Sequence, residues 1–207
     1  MTVVDVGANV GYYSMLTASI VGAEGRVLAF EASRSNCDLL RASAEANGLE
    51  NVEIHHAAVW NEPGVLELRR ARGSNGSVAP ASDGPGLDRS GRVQRTVAVL
   101  LDDALAGLEH LDVIKIDVEG AEHRAMLGGA RTIERLRPTV FTEFAPEAIE
   151  NVSQVDGPTY LRWFVERGYS ISVLEEQEDR FLGQDIDAVM QAFDSAKGNH
   201  VDLKLSA

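Results

Sequence analysis

Residues 2–13, TVVDVGANVGYY, decide the fold of this 207-residue chain, because they join a buried strand to a helix through a glycine-rich turn. The three valines before the first glycine have the β-branched density of a strand that is buried on both faces. From Tyr12 onward the apolar residues recur at helical spacing. Gly7 and Gly11 stand in the turn, in the pattern D-x-G-x-x-x-G, where a ligand must approach the backbone closely. The stretch therefore predicts a nucleotide-binding strand–loop–helix unit.

Two acidic residues near this turn indicate which ligand to expect. A dinucleotide fingerprint reads G-x-G-x-x-G, whereas this chain has Asn9 at the middle position and Asp5 before the first glycine. A carboxylate there repels a pyrophosphate but suits a ligand with an ammonium group. Glu31 ends the next apolar run, residues 26–31, and can accept hydrogen bonds from both hydroxyls of a ribose. A site for both groups points to S-adenosylmethionine, and a glycine-rich turn of another α/β protein is the alternative.

The composition indicates one acidic domain over residues 1–207. The chain is long enough for a substantial core, and its 19 basic and 32 acidic residues give a net charge of −13. No cluster of Lys and Arg resembles a groove that follows phosphates, so we do not expect nucleic acid as a partner. The acidity is explained equally well as a means of keeping the protein soluble.

A single cysteine, Cys37, excludes an internal disulfide and a site of several cysteines, which fits a reducing compartment. No apolar run approaches the roughly 20 residues of a membrane span, and no secretory signal precedes the first strand. We therefore expect a cytoplasmic protein without a membrane span. The chain opens almost directly on its first strand, which leaves open whether a longer N-terminus has been removed.

Segments typical of strands and helices alternate along the chain, which predicts an α/β fold. We expect a Rossmann-like, doubly wound and mainly parallel seven-stranded sheet with helices on both faces. The expected strands are residues 2–6, 26–31, 52–57, 111–117, 138–143, 169–174 and 200–205. The expected helices are residues 11–21, 34–48, 100–108, 119–129 and 158–168.

One stretch of the chain has no strand or helix pattern. Residues 71–92 contain five glycines, two prolines and four serines. We expect a long mobile loop there, which acts as a substrate lid or is simply disordered.

A second concentration of acidic residues follows position 110, in LDVIKIDVEGAEH (111–123). Asp117 comes at the carboxyl end of a buried strand, the edge of an open α/β sheet at which ligands bind. Glu119 and Glu122 follow, where acids at a helix start are also common for purely structural reasons. Lys115 leaves the same strand face as Asp117, so a buried ion pair is expected, with a catalytic lysine as the alternative.

Other titratable residues extend this acidic group. Glu143 ends the next expected strand, so its carboxylate can converge with those of Asp117 and Glu119. Together they could deprotonate a hydroxyl, bind a divalent cation such as Mg²⁺, or hold a sulfonium and a polar substrate, and the spacing does not choose among these roles. His123 is a candidate base and equally a surface histidine. The histidine pair 55–56 is interpreted as structural or stacking.

Taken in order, these motifs resemble the FkbM-type methyltransferases, a branch of the class I S-adenosylmethionine-dependent family. The resemblance covers roughly residues 2–145, and its most specific element is KIDVEGAE. The matching motifs are VVDVGANVGYYS (3–14), VLAFEAS (27–33), NVEIHHAAV (51–59), LLDDAL (100–105) and LDVIKIDVEGAEHRAML (111–127).

The resemblance implies O-methylation of a hydroxyl on a secondary metabolite or on a sugar of a glycan or glycolipid. Asp117 would lie beside the transferred methyl group and act as the base, with His123 second and with Glu119 and Glu143 nearby. The residues implied in cofactor binding are Asp5, Gly7, Asn9 and Gly11 for the methionine part, Glu31 for the ribose and Ala57 for the adenine.

Two rival functions keep the same fold. One is a nicotinamide-dependent oxidoreductase that uses Gly7, Gly11 and Glu31, although the missing middle glycine and the preceding Asp5 disfavour it. The other is a non-catalytic S-adenosylmethionine-binding module, against which the acids at the sheet edge argue. The identity of the acceptor, a metal requirement and a homo-oligomeric state are left open by the sequence.

Overall fold

The centre of the molecule is an eight-stranded sheet, seen in a computed structural model that describes residues 1–70, 76–81, 93–196 and 198–207. The described residues form twelve strands, β1 (Thr2–Val6), β2 (Arg26–Glu31), β3 (Val52–His56), β4 (Ala58–Val59), β5 (Gly64–Arg70), β6 (Gly76–Pro80), β7 (Val93–Val99), β8 (Val113–Ile116), β9 (Thr139–Phe144), β10 (Ser170–Val173), β11 (Arg180–Gly183) and β12 (Val201–Ser206). They also form eight helices, α1 (Tyr12–Val21), α2 (Arg34–Ala46), α3 (Leu101–Ala104), α4 (Glu122–Gly128), α5 (Ala130–Leu136), α6 (Pro146–Ser153), α7 (Gly157–Val165) and α8 (Ile186–Ser195).

The main sheet has the order β11-β10-β12-β9-β8-β1-β2-β3. The five strands from β9 to β3 are parallel, as expected for an α/β fold. The expectation of seven mainly parallel strands is wrong in two respects, because β11 adds an eighth strand and because β12, β10 and β11 each pair antiparallel with their neighbours. The short link from β10 to β11 permits only an antiparallel return.

A second sheet, with the order β4-β7-β5-β6, was not expected from the sequence. Its strands carry charged residues such as Glu67 and Arg95, which interrupt the apolar runs that indicate strands. The sheet includes residues 76–80, so the expectation of a loop over residues 71–92 is wrong for the part that forms β6. The rest of the expected loop, 71–75 and 82–92, lies outside the described residues.

The core is built on one face of the main sheet, where the strand register aligns six apolar side chains in a row. Each is at most 2% exposed, and full burial of such a side chain contributes roughly 1.5–3 kcal/mol. Helices α3, α4, α5, α7 and α8 cover this face, whereas α1 and α2 cover the other face over β1 to β3. The row consists of Leu28, Val4, Ile114, Val140, Leu205 and Ile171.

This topology fixes where a ligand can bind. The strand order reverses between β1 and β8, and in doubly wound sheets the crevice at the carboxyl ends of such a pair receives the ligand. The second sheet packs beside this crevice, where its apolar residues meet Val118 and Ala121 of the β8–α4 loop. Within the described residues, no helix is long and apolar enough to cross a membrane.

The attachment of the second sheet to the main body depends on the glycine at position 128, and this predicts a stability effect. A Cβ on Gly128 would lie 2.0 Å from the carbonyl oxygen of Trp60, so α4 and the segment after β4 touch backbone to backbone. We expect Gly128→Ala to lower the free energy of unfolding by about 3 kcal/mol, the upper end of overpacking costs. In a domain of this size that lowers Tm by roughly 6–12 °C. Gly107→Ala is the matched control, because its Cβ meets nothing within 4 Å, and equal Tm values for the two variants would contradict the prediction.

Candidate functional site

A cleft lies at the carboxyl edge of the parallel strands, with a volume of about 80 Å³, or about 660 Å³ when the space at its open mouth is counted. The loops after β1, β2, β3 and β8 form its walls, and residues of β5 and β6 close one side. It brings together six of the residues predicted from the sequence: Gly7, Asn9, Glu31, Ala57, Asp117 and Glu119.

The turn after β1 contacts the loop after β8 through the backbone. Gly7 has φ of 79°, and a Cβ there would lie 1.9 Å from the carbonyl oxygen of Asp117. No side chain fits at this position, which explains the first glycine of the motif. Gly11 precedes α1 with φ of 96°, and its missing Cβ leaves room for Leu40, so it shapes the turn without lining the cleft.

Glu31 connects the two loops at the cleft wall. Its Oε2 accepts a hydrogen bond from the N–H of Asn9 at 2.8 Å, and its Oε1 accepts one from the N–H of Ser33 at 2.7 Å. The side chain is buried, and burial raises its pKa although these N–H donors lower it. A carboxylate has about four acceptor positions, and Asn36 Nδ2, 3.4 Å from Oε1, takes a third, so Glu31 can still accept one hydrogen bond from a ligand.

Asp5 lies beneath the turn and does not line the cleft. Its Oδ2 accepts a hydrogen bond from Ser14 Oγ at 2.6 Å, and its Oδ1 lies 3.3 Å from Lys115 Nζ. The same ammonium donates to the carbonyl oxygen of Gly7 at 3.1 Å and lies 3.7 Å from Asp117 Oδ2. Lys115 therefore pairs with Asp117, but this pair is not buried as expected, because the Asp117 side chain is 40% exposed; the buried partner of the ammonium is Asp5.

Asp117 is where the cleft meets a second cavity. Its backbone N–H donates to the carbonyl oxygen of Val6 at 3.1 Å, which fixes its place beside β1. Its side chain is 40% exposed and lines both the cleft and a groove of about 320 Å³ on the sheet face that α1 borders. Tyr13 and Phe141 line that groove.

Glu143 lines the groove and not the cleft. It stands directly opposite Asp202 on the antiparallel strand β12. Burial raises the pKa of Glu143, with further increases from the charges of Asp117, Glu119 and Asp202, whereas His200, 3.8 Å away, lowers it. The structure thus brings Glu143 near Asp117 on the groove side.

His123 faces away from both cavities. It is buried in α4 with its ring edge-on to Tyr160 at 6.1 Å between ring centroids, so the surface-histidine interpretation is wrong. Its Nδ1 has no hydrogen-bond partner among the residues that the structure describes. Burial lowers its pKa, as do the charges of Arg124 and Arg167. The structure does not bring it together with Asp117.

Glu122, the first residue of α4, is buried behind the cleft. Its Oε1 accepts hydrogen bonds from the N–H of Val118 at 2.9 Å and from the N–H of Gly120 at 3.3 Å. Burial raises its pKa to about 7, although these N–H donors lower it, and the charge of Asp117 raises it further.

Several lining residues were missed by sequence reasoning. Leu68 and Val78 belong to the unexpected second sheet, whose apolar residues carried no signal of their own. His55 stacks on the cleft residue Phe30 with 4.5 Å between ring centroids, consistent with the stacking interpretation. Within the ranges that the structure describes, no group of three or more His, Cys, Asp or Glu side chains is placed to hold a metal ion. The described residues therefore do not support the alternative of a bound divalent cation such as Mg²⁺.

Comparison with solved structures shows the fold. The methyltransferase FkbM from Methylobacillus flagellatus KT is 16% identical with a TM-score of 0.59, and the match covers 99% of this chain but only 43% of that one. A candidate rRNA methylase from Clostridium thermocellum is 11% identical, with a TM-score of 0.55 and coverage of 99% and 85%. A candidate methyltransferase from Streptococcus mutans, solved in complex with SAH, is 7% identical, with a TM-score of 0.50 and coverage of 99% and 87%.

Comparison with family models identifies the family. No curated protein sequence is significantly similar to this chain. The model of the methyltransferase FkbM domain, however, matches residues 5–171, which is most of the chain and includes both acidic motifs. The chain therefore belongs to the FkbM methyltransferase family.

Proposed function

We propose that this chain is an S-adenosylmethionine-dependent methyltransferase that methylates a hydroxyl of a sugar, a glycolipid or a secondary metabolite. The observation that carries the proposal is the position of Asp117, whose carboxylate lines both a cleft that suits the cofactor and a groove that suits an acceptor. The chain spans less than half the length of the Methylobacillus FkbM protein.

The cleft supplies the groups that S-adenosylmethionine requires. Glu31 keeps an acceptor position for a ribose hydroxyl beside its bonds from Asn9, Ser33 and Asn36, and the turn of residues 7–9 lines the cleft where the methionine part would lie. An apolar wall that includes Ala57 and Leu68 suits the adenine ring. The SAH bound by the Streptococcus mutans protein of similar fold is consistent with this assignment. Asp5 would support the turn through Lys115 and Ser14, since it lies outside the lining.

The proposed chemistry is an in-line methyl transfer. The cofactor supplies a methyl group on a sulfonium, whose carbon–sulfur bond breaks with its electron pair remaining on sulfur as the acceptor oxygen bonds to carbon. Asp117 takes up the hydroxyl proton as general base, because its exposed carboxylate faces both cavities. The ammonium of Lys115 compensates its charge before the acceptor arrives.

The groove favours a polyhydroxylated acceptor such as a sugar. Glu143 and Asp202 present carboxylate oxygens that accept hydrogen bonds from hydroxyls. The exposed ring of Tyr13 at one side offers an apolar face on which a sugar ring can pack. Glu119, on the cleft side, completes the group of acids around Asp117.

The rival functions fit the site less well. A dinucleotide would bring its pyrophosphate towards Asp117 and Glu119, whose charges repel it. A module that only binds the cofactor has no use for a second cavity that shares a carboxylate with the first.

Replacement of Glu31 tests the cofactor assignment. In Glu31→Gln the amide NH₂ opposes a backbone N–H donor, of either Asn9 or Ser33, and removes acceptor positions for the ribose. We expect SAH to bind at least about tenfold more weakly, equivalent to about 1.4 kcal/mol, by calorimetric titration. Glu53→Gln on the neighbouring strand, outside the cleft, is the control and should bind as the wild type does. Binding of NAD in preference to SAH by the wild type would refute the assignment.

Replacement of Asp117 tests the general base. Asp117→Asn keeps the size of the side chain but cannot accept the hydroxyl proton. We expect SAH affinity within about threefold of wild type and a methyl-transfer rate lowered by about 10²-fold or more, measured with radiolabelled S-adenosylmethionine and a panel of glycosides. Asp103→Asn, on the exposed surface of α3, is the control. An equal loss of SAH affinity would move Asp117 from catalysis to cofactor binding.

A further inference from the structure

The loop between β8 and α4 follows a demanding backbone path at the cleft. Glu119 has φ of 54° and Gly120 has φ of 99°, so two successive residues are left-handed. For a residue with a side chain, such a conformation costs free energy and persists only where neighbours impose it. At Gly120 a Cβ would also lie 2.2 Å from the carbonyl oxygen of Ala148.

The buried carboxylate of Glu122 holds this path. A single oxygen, Oε1, accepts hydrogen bonds from the N–H of Val118 and the N–H of Gly120, the residues on either side of Glu119. Ser153 Oγ donates to the carbonyl oxygen of Gly120 at 2.6 Å from the opposite side. Val118 and Gly120 also directly follow Asp117 and Glu119 in the chain, so their placement sets the placement of both cleft acids.

We infer that Glu122 is a positioning residue, which sets the geometry of Asp117 and Glu119 by fixing the backbone between and after them. The inference rests on the proposed function of the cleft. Glu122 lines neither cavity, so it acts through the loop and not on a ligand.

The contacts distinguish this role from support of helix α4. The carboxylate of Glu122 accepts from Val118 and Gly120, which precede the helix, and also interacts with its own backbone N–H, the first of the helix. The helix is held by its own packing, with Ala125 and Met126 fully buried in the core. Shortening the side chain at 122 should therefore loosen the loop and leave the helix intact.

The substitution Glu122→Asp tests the inference, because it keeps the charge but withdraws the acceptor by one methylene. We expect amide hydrogen exchange at Val118 and Gly120, measured by NMR, to accelerate at least about tenfold while exchange at Ala125 in α4 is unchanged. SAH affinity should fall at least about fivefold. Glu122→Gln retains a carbonyl acceptor and should restore both properties towards wild type. Glu150→Asp, on the exposed side of α6, is the control and should change neither.

The outcomes separate this inference from the function on which it rests. Unchanged exchange at Val118 and Gly120 in Glu122→Asp overturns the positioning role, and uniformly faster exchange throughout α4 shows a structural role instead. A wild type that binds no SAH refutes the cofactor site while the exchange data still decide on the loop. If Glu122→Asp does not fold, the wild-type protein decides the question. The Val118 N–H then has to show scalar coupling, across its hydrogen bond, between its nitrogen and the carboxyl carbon of Glu122. Absence of this coupling overturns the inference.

Discussion

The contact between the Gly7 turn and the Asp117 carbonyl is the constraint on which the site depends. Two loops from adjacent parallel strands meet there without space for a Cβ. Lys115 joins them a second time, since its ammonium reaches Asp5, the Gly7 carbonyl and Asp117. The proposed methyl transfer requires a constant distance between cofactor and acceptor, and two loops that are fixed to each other maintain it.

The place of several candidate-site residues could be predicted, because residues at the ends of parallel strands follow a simple rule. A polar residue directly after a buried parallel strand must lie at the common carboxyl edge, and Glu31 and Asp117 do so. The rule gives only the neighbourhood of a residue, so it could not show that Asp5 points beneath the turn. Whether His123 faces the cleft depends on how the seven-residue helix α4 is rotated about its axis. The geometry of the preceding loop sets that rotation, and the sequence pattern does not give it.

The fold was harder to predict where pairing is not local. The five parallel strands are rich in β-branched and apolar residues, and each was expected near its observed place. The second sheet carries charged residues in β5 and β7, which broke up the apolar pattern there, and the glycines and prolines of residues 71–92 indicated a loop where β6 forms. The sequence could not predict that β12 runs antiparallel to β9, because an alternation of apolar residues is the same in both chain directions.

The carboxylates of this molecule form two layers with opposite physical requirements. Asp117 and Glu143 face cavities, where an exposed oxygen can meet a ligand. Asp5, at the edge of the groove, and Glu122, outside both cavities, are almost completely buried, where a charged acid is costly unless donors surround it. Ser14 and Lys115 offset that cost at Asp5, whereas two backbone N–H groups offset it only in part at Glu122, where burial still raises the pKa of the carboxyl to about 7. The Oε1 oxygen of Glu122 accepts both N–H bonds whether the carboxyl is charged or neutral, and an apolar side chain at this position could accept neither.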